Sequence, residues 1–283
     1  MLTVIEALQL SADYLQKYNI ESPRLNAELL LADILNCKRL DLYLLYDRPL
    51  NETELQKYRE YLKRRIKREP LQYITGYVYF FGYKFFVNSS VLIPRPETEI
   101  LVDSIINHSN KKEKLKILDI GIGSGNISVS LLKNLPNAEV VGIDITNEAI
   151  SLAKKNAVEN NVYSKLELKR FDILNEDYKK LGMFDIIVSN PPYVSLQDYN
   201  NLEPELKVYE PASSLTDFAN GYKFYEKIIH ISKELLDKSG KLYFELGKDQ
   251  NKAVYNIMES NGFYNIKIIK DYSLIDRIIY GDI

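Results

Sequence analysis

Cysteine is almost missing from this 283-residue chain: Cys37 stands alone, so no intrachain disulfide can form and a reducing compartment is expected. Its plainest role is that of a small buried hydrophobe. Histidine is as scarce, with His108 and His230 only and no Cys/His cluster around either, which argues against a zinc site or a histidine-based triad. No metal is expected. No uninterrupted apolar run approaches the roughly 20 residues that span a bilayer. The opening Met1-Leu2-Thr3-Val4-Ile5-Glu6 carries an acid where a secretory leader would be basic. These absences predict a cytoplasmic protein with no membrane partner. There is no charge excess either: 37 Lys and Arg face 39 Asp and Glu, a net of −2. General attraction to nucleic acid needs a basic surface, so no stable nucleic-acid partner is expected.

What is present is a 46% hydrophobic composition and enough length for a large domain beside a small one. Residues 1–72 read as a helical bundle. Ser22-Pro23 suggests an N-cap followed by proline at the first helical position. Ala27, Leu30, Leu31, Ile34 and Leu35 follow at helical spacing. Asn51 and Glu54 suggest a capping box ahead of Leu55, Tyr58, Leu62 and Ile66. Aromatic and β-branched residues crowd 73–92 around Gly82, the pattern of a short hairpin linking two domains. Over 93–283 short apolar runs alternate with helical stretches, an α/β texture. Strands are predicted at 116–120, 139–143, 165–169, 184–189, 241–246, 263–269 and 277–280. The first four are far enough apart for crossover helices and hence parallel pairing. The last two are joined closely, which predicts an antiparallel pair at the end of a doubly wound, mostly parallel, seven-stranded sheet.

The first predicted strand ends in Asp119-Ile120-Gly121-Ile122-Gly123-Ser124-Gly125-Asn126. Glycines at a strand-to-helix turn let a ligand approach the backbone. A dinucleotide fingerprint would place its third glycine at 126, where this chain has Asn. The acid at Asp119 has no use beside a pyrophosphate, but it suits an ammonium group such as the methionine end of S-adenosylmethionine. Asp144, ending the second strand, can accept from both ribose hydroxyls, which fits either cofactor. Phe171 can lie against an adenine ring or simply belong to the core, and Asp172 can accept from the adenine amine.

The fourth strand runs into Asn190-Pro191-Pro192-Tyr193. Two prolines fix φ, remove two backbone donors and hold Asn190 extended, giving a stiff, acceptor-rich corner. It falls at a strand's carboxyl end, where open α/β sheets bind ligands. An amide nitrogen is a poor nucleophile because its lone pair is delocalised. If Asn190 Oδ1 and the Pro191 carbonyl take both N–H hydrogens, that lone pair is aimed out of plane at an electrophile. Tyr193 is expected to supply a flat wall. Catalysis of this kind is mainly positioning and polar preorganisation.

With these residues in hand, the chain resembles the class I amino-methyltransferases. A further block narrows the resemblance: Glu69-Pro70-Leu71-Gln72-Tyr73-Ile74-Thr75-Gly76, Phe81-Gly82, and Val91-Leu92-Ile93-Pro94-Arg95-Pro96-Glu97-Thr98-Glu99. These look like the signature of the HemK-type release factor glutamine methyltransferases. Tyr209-Glu210-Pro211, Asp271 and Asp276-Arg277 are also similar. The resemblance implies S-adenosyl-L-methionine as cofactor and, as substrate, the glutamine of the Gly-Gly-Gln loop in class I peptide chain release factors. It implies cofactor contacts from Gly121, Ile122, Gly123, Ser124, Gly125, Asp144, Phe171 and Asn190, and a glutamine amide held by Asn190 to Tyr193. The bundle over 1–72 would dock the substrate, and the enzyme is expected to act as a monomer. Ile122 and Leu246 depart from the family's usual Thr and His. Pro94-Arg95-Pro96-Glu97 reads equally as a wall beside the cofactor or a structural corner. The basic run Lys57, Arg59, Lys63, Arg64, Arg65, Lys67, Arg68 reads as a solvated helix face or as a docking surface. A nucleic-acid amino-methyltransferase, a non-catalytic S-adenosylmethionine binder and an NAD-dependent dehydrogenase are the competing readings, the last disfavoured by Asp119 and Asn126.

Overall fold

The computed structural model describes residues 2–283. The chain forms two compact units, one made of Met1–Tyr77 with Pro204–Tyr209, the other of Val78–Glu203 with Glu210–Ile283.

The first unit is helical, with α1 (Val4–Lys17), α2 (Pro23–Ile34), a 3₁₀ stretch Arg39–Leu44, α3 (Glu52–Arg65) and α4 (Leu71–Thr75). Its core is the predicted stripes: Ala27, Leu30 and Leu31 of α2 are fully buried, with Tyr58 and Leu62 of α3. Ile34, Leu35 and Ile66 pack at its margin. The Tyr58 hydroxyl donates to the Ala27 carbonyl at 2.9 Å, so its one polar group is satisfied inside that core. The capping box at Asn51 and Glu54 is present, each side chain accepting from the other's backbone N–H. A second one, Thr3 with Glu6, starts α1. Ser22 differs from expectation. Pro23 does open α2, but Ser22 adopts φ +46 and its hydroxyl makes no cap. Asn26 instead donates to the carbonyls of Glu21 and Ser22, bracing the turn from inside the helix.

The basic run of α3 is largely engaged with acids of its own unit. Arg64 grips Glu69, Lys57 lies 3.7 Å from Asp33 and Arg59 3.6 Å from Glu52. Arg65 is buried. It binds both carboxylate oxygens of Glu205 at 3.1 and 3.4 Å, Asn26 Oδ1 at 2.8 Å and the Glu69 carbonyl at 3.0 Å. This fork draws Pro204–Tyr209 into the helical unit, helped by the Tyr209 hydroxyl on the Lys67 carbonyl. Truncating one member of such a pair leaves buried polar groups unmatched, so Arg65→Ala should lose about 3 kcal/mol. Urea unfolding checks this, and a wild-type midpoint would remove the structural role.

The second unit opens on a hairpin, β1 (Tyr77–Phe80) and β2 (Tyr83–Phe86). Its two-residue turn, Phe81-Gly82, has φ positive at both positions, the primed geometry that matches strand twist. Glu99 pins it by accepting from the Phe81 N–H at 2.7 Å. The seven-stranded sheet comprises β3 (Leu115–Ile120), β4 (Ala138–Asp144), β5 (Leu166–Arg170), β6 (Phe184–Ser189), β7 (Leu236–Glu245), β8 (Tyr264–Lys270) and β9 (Asp276–Asp282). Their order is β5-β4-β3-β6-β7-β9-β8, parallel except for β9, which runs antiparallel to both neighbours. The antiparallel end is thus made by inserting the last strand inside β8. Strand residues alternate between two apolar layers: Ile117, Val140 and Ile186 enter the layer of α5 (Thr98–His108), α6 (Asn126–Asn134) and α7 (Asn147–Glu159). Leu118, Val141 and Ile187 enter the layer of the helices Lys223–Leu235 and Asn251–Ser260. The order reverses between β3 and β6, where a doubly wound sheet opens its crevice.

Candidate active site

At that reversal, above the carboxyl ends of β3, β4, β5 and β6, lies a cavity of about 310 Å³ lined by residues of the second unit alone. Gly121, Ile122, Gly123, Ser124, Asp144, Phe171, Asp172, Asn190, Pro191 and Pro192 all line it. Residues separated by up to 71 positions therefore meet in one space.

The glycine turn is held by hydrogen bonds to the next strand. The N–H groups of Gly121 and Ile122 both donate to the Ile143 carbonyl at 2.9 Å, and Gly125 N–H closes onto Ile122. Gly121, with φ +79, would carry a Cβ into open space, with nothing within 4 Å. Glycine is required there by backbone conformation, and the space above it is open. Gly125 has a different reason: a Cβ would sit 3.3 Å from that of Ala153, so it lies against α7 and outside the lining. Ile122 fills the groove over Gly142, where any Cβ would meet its Cδ1 at 2.2 Å, so the departure from Thr is absorbed by packing. Leu246 is buried in the apolar core.

Asp144 accepts from Gly123 N–H through Oδ2 and from the Thr146 backbone and hydroxyl through Oδ1, all at 3.1 Å. Oδ1 is thereby filled, Oδ2 keeps a further lone pair, and the residue lines the cavity. Phe171 is 8% exposed, a buried ring that forms wall and core together. Burial pushes the Asp172 carboxyl upward, but hydrogen bonds from Asn175 and Leu174 outweigh it and hold the group below its ordinary range.

Asp119 lies beneath the turn, fully buried and outside the lining. Oδ2 accepts from the Ser128 hydroxyl at 2.6 Å, while Oδ1 has no partner among the described residues. Burial pushes the carboxyl from its ordinary 3.8 up to about 7, opposed by Ser128 and reinforced by the charge of Asp144. Because the folded value lies above the unfolded one, this group favours the fold fully below about pH 4, and that contribution is lost as pH rises through 7. The amount is on the order of 4 kcal/mol. Thermal unfolding of the ligand-free protein should weaken from pH 5 to pH 8, and Asp119→Asn should flatten that slope; an unchanged slope would contradict the assignment.

The proline corner is clamped from behind. Gln250 Nε2 donates to the Tyr193 carbonyl at 2.9 Å and its Oε1 accepts from Gly247 N–H at 3.0 Å. Cβ atoms on Gly221 or Gly247 would strike Tyr193 at 2.5 and 2.8 Å, so both glycines exist for close approach to this residue. Tyr193 corrects expectation in one respect. It is not part of the lining; its ring packs on the core and its hydroxyl donates to Glu245 at 3.4 Å. The planar face toward the cavity is that of Pro191 and Pro192. Asn190 Nδ2 donates to Thr98 Oγ1 at 3.3 Å, and Thr98 donates to Glu245 Oε2 at 2.5 Å. That leaves Asn190 Oδ1 as the end available to a ligand. The Pro94-Arg95-Pro96-Glu97 segment is a wall: Pro94, Arg95 and Thr98 line the cavity, and buried Glu210 accepts from Arg95 at 2.5 Å and from Ile93 N–H at 3.2 Å. At the rim Phe218, 57% exposed and at φ +56, is held by Thr216 accepting from its N–H, while neighbouring Asp217 accepts from three backbone N–H groups.

Sequence reasoning gave no role to Thr98, Glu210, Asp217, Glu245 or Gln250. Thr98 and Glu210 stand within the quoted motifs, but Thr98 meets its partner Glu245 across 147 positions.

Comparison with known proteins agrees with this geometry. Residues 6–76 match the PrmC N-terminal domain and residues 111–276 a methyltransferase domain. The chain is 41% identical over 272 residues to the release factor glutamine methyltransferase of Fusobacterium nucleatum, covering 95% of this chain and 76% of that one. It is 39% identical over 282 residues to that of Geobacter sulfurreducens, covering 99% and 97%. Among solved structures, a methyltransferase from Pyrococcus furiosus superposes with a TM-score of 0.51 at 18% identity, over 71% of this chain and 89% of that one, a likeness of fold. The chain belongs to the release factor glutamine methyltransferase family.

Proposed function

We propose that this enzyme methylates the side-chain nitrogen of the glutamine in the Gly-Gly-Gln loop of class I peptide chain release factors, with S-adenosyl-L-methionine as methyl donor. One observation carries the reading: the proline-braced corner of Asn190 and Pro191, which can offer a side-chain and a main-chain acceptor, lines the same cavity as an open glycine turn. The donor set fits the cofactor. Asp144 offers a lone pair of Oδ2 for a ribose hydroxyl, Phe171 an apolar face for adenine, and the turn at Gly121 open room over backbone. The orphaned Asp119 oxygen leaves an unfilled acceptor beneath the turn, short of the direct ammonium contact expected from sequence. When bound, the cofactor supplies an electrophilic sulfonium methyl. Asn190 and Pro191 accept the two amide hydrogens and keep the nitrogen lone pair turned out of the carboxamide plane. Pro191 and Pro192 confine the flat group. No strong base is needed, because an alkylated amide nitrogen is acidic and sheds its proton readily.

The acceptor corner would also suit the amino group of a nucleobase, but five of the seven cations in the basic run, Lys57, Arg59, Arg64, Arg65 and Arg68, pair with Asp33, Glu52, Glu69 and Glu205. We assign release-factor docking to the helical bundle over 1–72, the linking role to the hairpin over 73–92 and catalysis to 93–283, in a monomeric, cytoplasmic enzyme. Exposed Leu40 and Leu44 support the docking role, being 66% and 85% accessible on the helical unit. Leu40→Glu with Leu44→Glu should raise KM for intact release factor several-fold and leave a Gly-Gly-Gln peptide unaffected; equal effects on both would remove the docking assignment. The function itself is tested by mass spectrometry of a release factor incubated with enzyme and cofactor. The loop glutamine should gain the mass of one methylene; an unmodified loop would refute the reading.

A further inference from the structure

We propose that Glu245, acting through Thr98, is a positioning residue that decides which end of the Asn190 amide faces the cavity. The inference rests on the methyltransferase reading above, in which Asn190 must present an acceptor.

An asparagine amide has two ends of nearly equal size, an acceptor oxygen and a donor NH₂, exchanged by a half-turn about χ2. Only the oxygen can take a hydrogen from a substrate amide; the NH₂ would oppose it donor to donor. Shape does not make this choice, so a hydrogen-bond partner must. The partner is Thr98, whose oxygen accepts from Asn190 Nδ2 at 3.3 Å. A hydroxyl has one proton, and that of Thr98 goes to Glu245 Oε2 at 2.5 Å. An ionised carboxylate can only accept. Thr98 must therefore donate to it, and toward Asn190 Thr98 has only lone pairs left. The direction of the whole chain is fixed from the buried acid outward: carboxylate, hydroxyl, NH₂, and finally Oδ1 in the cavity.

Reversal is equally well defined. A protonated Glu245 can donate to Thr98, freeing the Thr98 proton for Asn190 Oδ1 and turning NH₂ inward. One proton taken up from solvent onto the Glu245 carboxylate re-aims both the Thr98 hydroxyl and the Asn190 amide. The setting suits such a role. Glu245 is 1% exposed and makes no ion pair among the described residues. Arg277, whose charge acts on it, is engaged by Asp271 at 3.1 Å and by the Leu246 carbonyl. The groups facing Glu245 are Thr98 of α5 and Glu97 just before it, Tyr193 after β6, and Arg277 of β9, while Tyr225 donates to its main-chain carbonyl. Burial, reinforced by Glu97 and opposed by Thr98, Arg277 and Tyr193, pushes the carboxyl up to about 7. A buried acid with hydroxyl partners and no countercharge is costly to keep, and it titrates where the enzyme would work.

The test is Glu245→Gln, which keeps the shape but can donate to Thr98. At saturating cofactor and release factor, kcat should fall by about tenfold to a hundredfold, with cofactor affinity by calorimetry at its wild-type value and a thermal midpoint no lower than that of the wild type, since a costly buried acid has been removed. Wild-type kcat should fall toward acid pH with a limb near 7, and the variant should lose that limb. In an Asn190→Ala background Glu245→Gln should cost nothing further, because the two act as one unit. Should Glu245→Gln not fold, Thr98→Val and Thr98→Ser decide: valine lowers kcat as above and serine restores it. Wild-type enzyme that methylates the glutamine, beside a Glu245→Gln enzyme with unchanged kcat and acid limb, overturns the relay and leaves the function intact. Wild-type enzyme that leaves the glutamine unmodified overturns the function, and the relay with it.

Discussion

Asn190→Ala is expected to lower kcat by about a hundredfold to a thousandfold, the range seen when one preorganised hydrogen-bonding group is removed from a reacting centre. The substitution deletes Oδ1, leaving the Pro191 carbonyl as the one acceptor. A carboxamide held at one hydrogen can rotate, and its nitrogen lone pair falls back into conjugation with its own carbonyl. Because Oδ1 acts on the reacting amide, the loss should appear in kcat and kcat/KM together. Cofactor affinity should change little, since the glycine turn, Asp144 and Phe171 are untouched and are held by Ile143, Thr146 and the core. Steady-state kinetics with intact release factor, paired with calorimetry, checks both halves. Unchanged turnover would discard the role given to Asn190.

Asp144→Ala should act on the other half of the site, weakening cofactor binding by about a hundredfold. A charge-assisted hydrogen bond to ribose is lost, on the order of 3 kcal/mol. The turn also loosens, because Gly123 N–H and Thr146 lose their shared acceptor. Asp172→Asn is the useful comparison. Its oxygens already accept from Leu174 and Asn175 within its own loop, so a smaller effect is expected. A wild-type dissociation constant for Asp144→Ala would contradict the cofactor assignment.

The sheet was readable because each buried parallel strand is a compact apolar run that ends in a distinctive turn, Asp119 to Gly125 after β3 and Asn190 to Tyr193 after β6. The strand at 184–189 matches residue for residue. β7 begins at Leu236, five positions before the expected 241, because Asp237, Lys238 and Ser239 interrupt the apolar pattern and pairing skips between Phe184 and Ile186. The insertion of β9 inside β8 has no local signature; it is decided by pairing with β7. At the site, spacing pointed to the residues that touch ligands and was silent about those that aim them. Thr98 reads as one more residue in a proline-rich stretch until Glu245 and Asn190 arrive from β7 and β6. Arg65 reads as one charge in a basic run, but its carboxylate partner comes 140 positions later. Tyr193 reads as a wall because aromatics stack on planar groups, yet Gly221 and Gly247 make room that draws it into the core.

The most direct measurement is a structure of the enzyme with S-adenosylhomocysteine and a Gly-Gly-Gln peptide of the release factor. The glutamine nitrogen should lie within roughly 2.7–3.2 Å of both Asn190 Oδ1 and the Pro191 carbonyl oxygen, facing the sulfur. A glutamine whose oxygen, not nitrogen, met Asn190, or one bound away from the proline corner, would contradict the account.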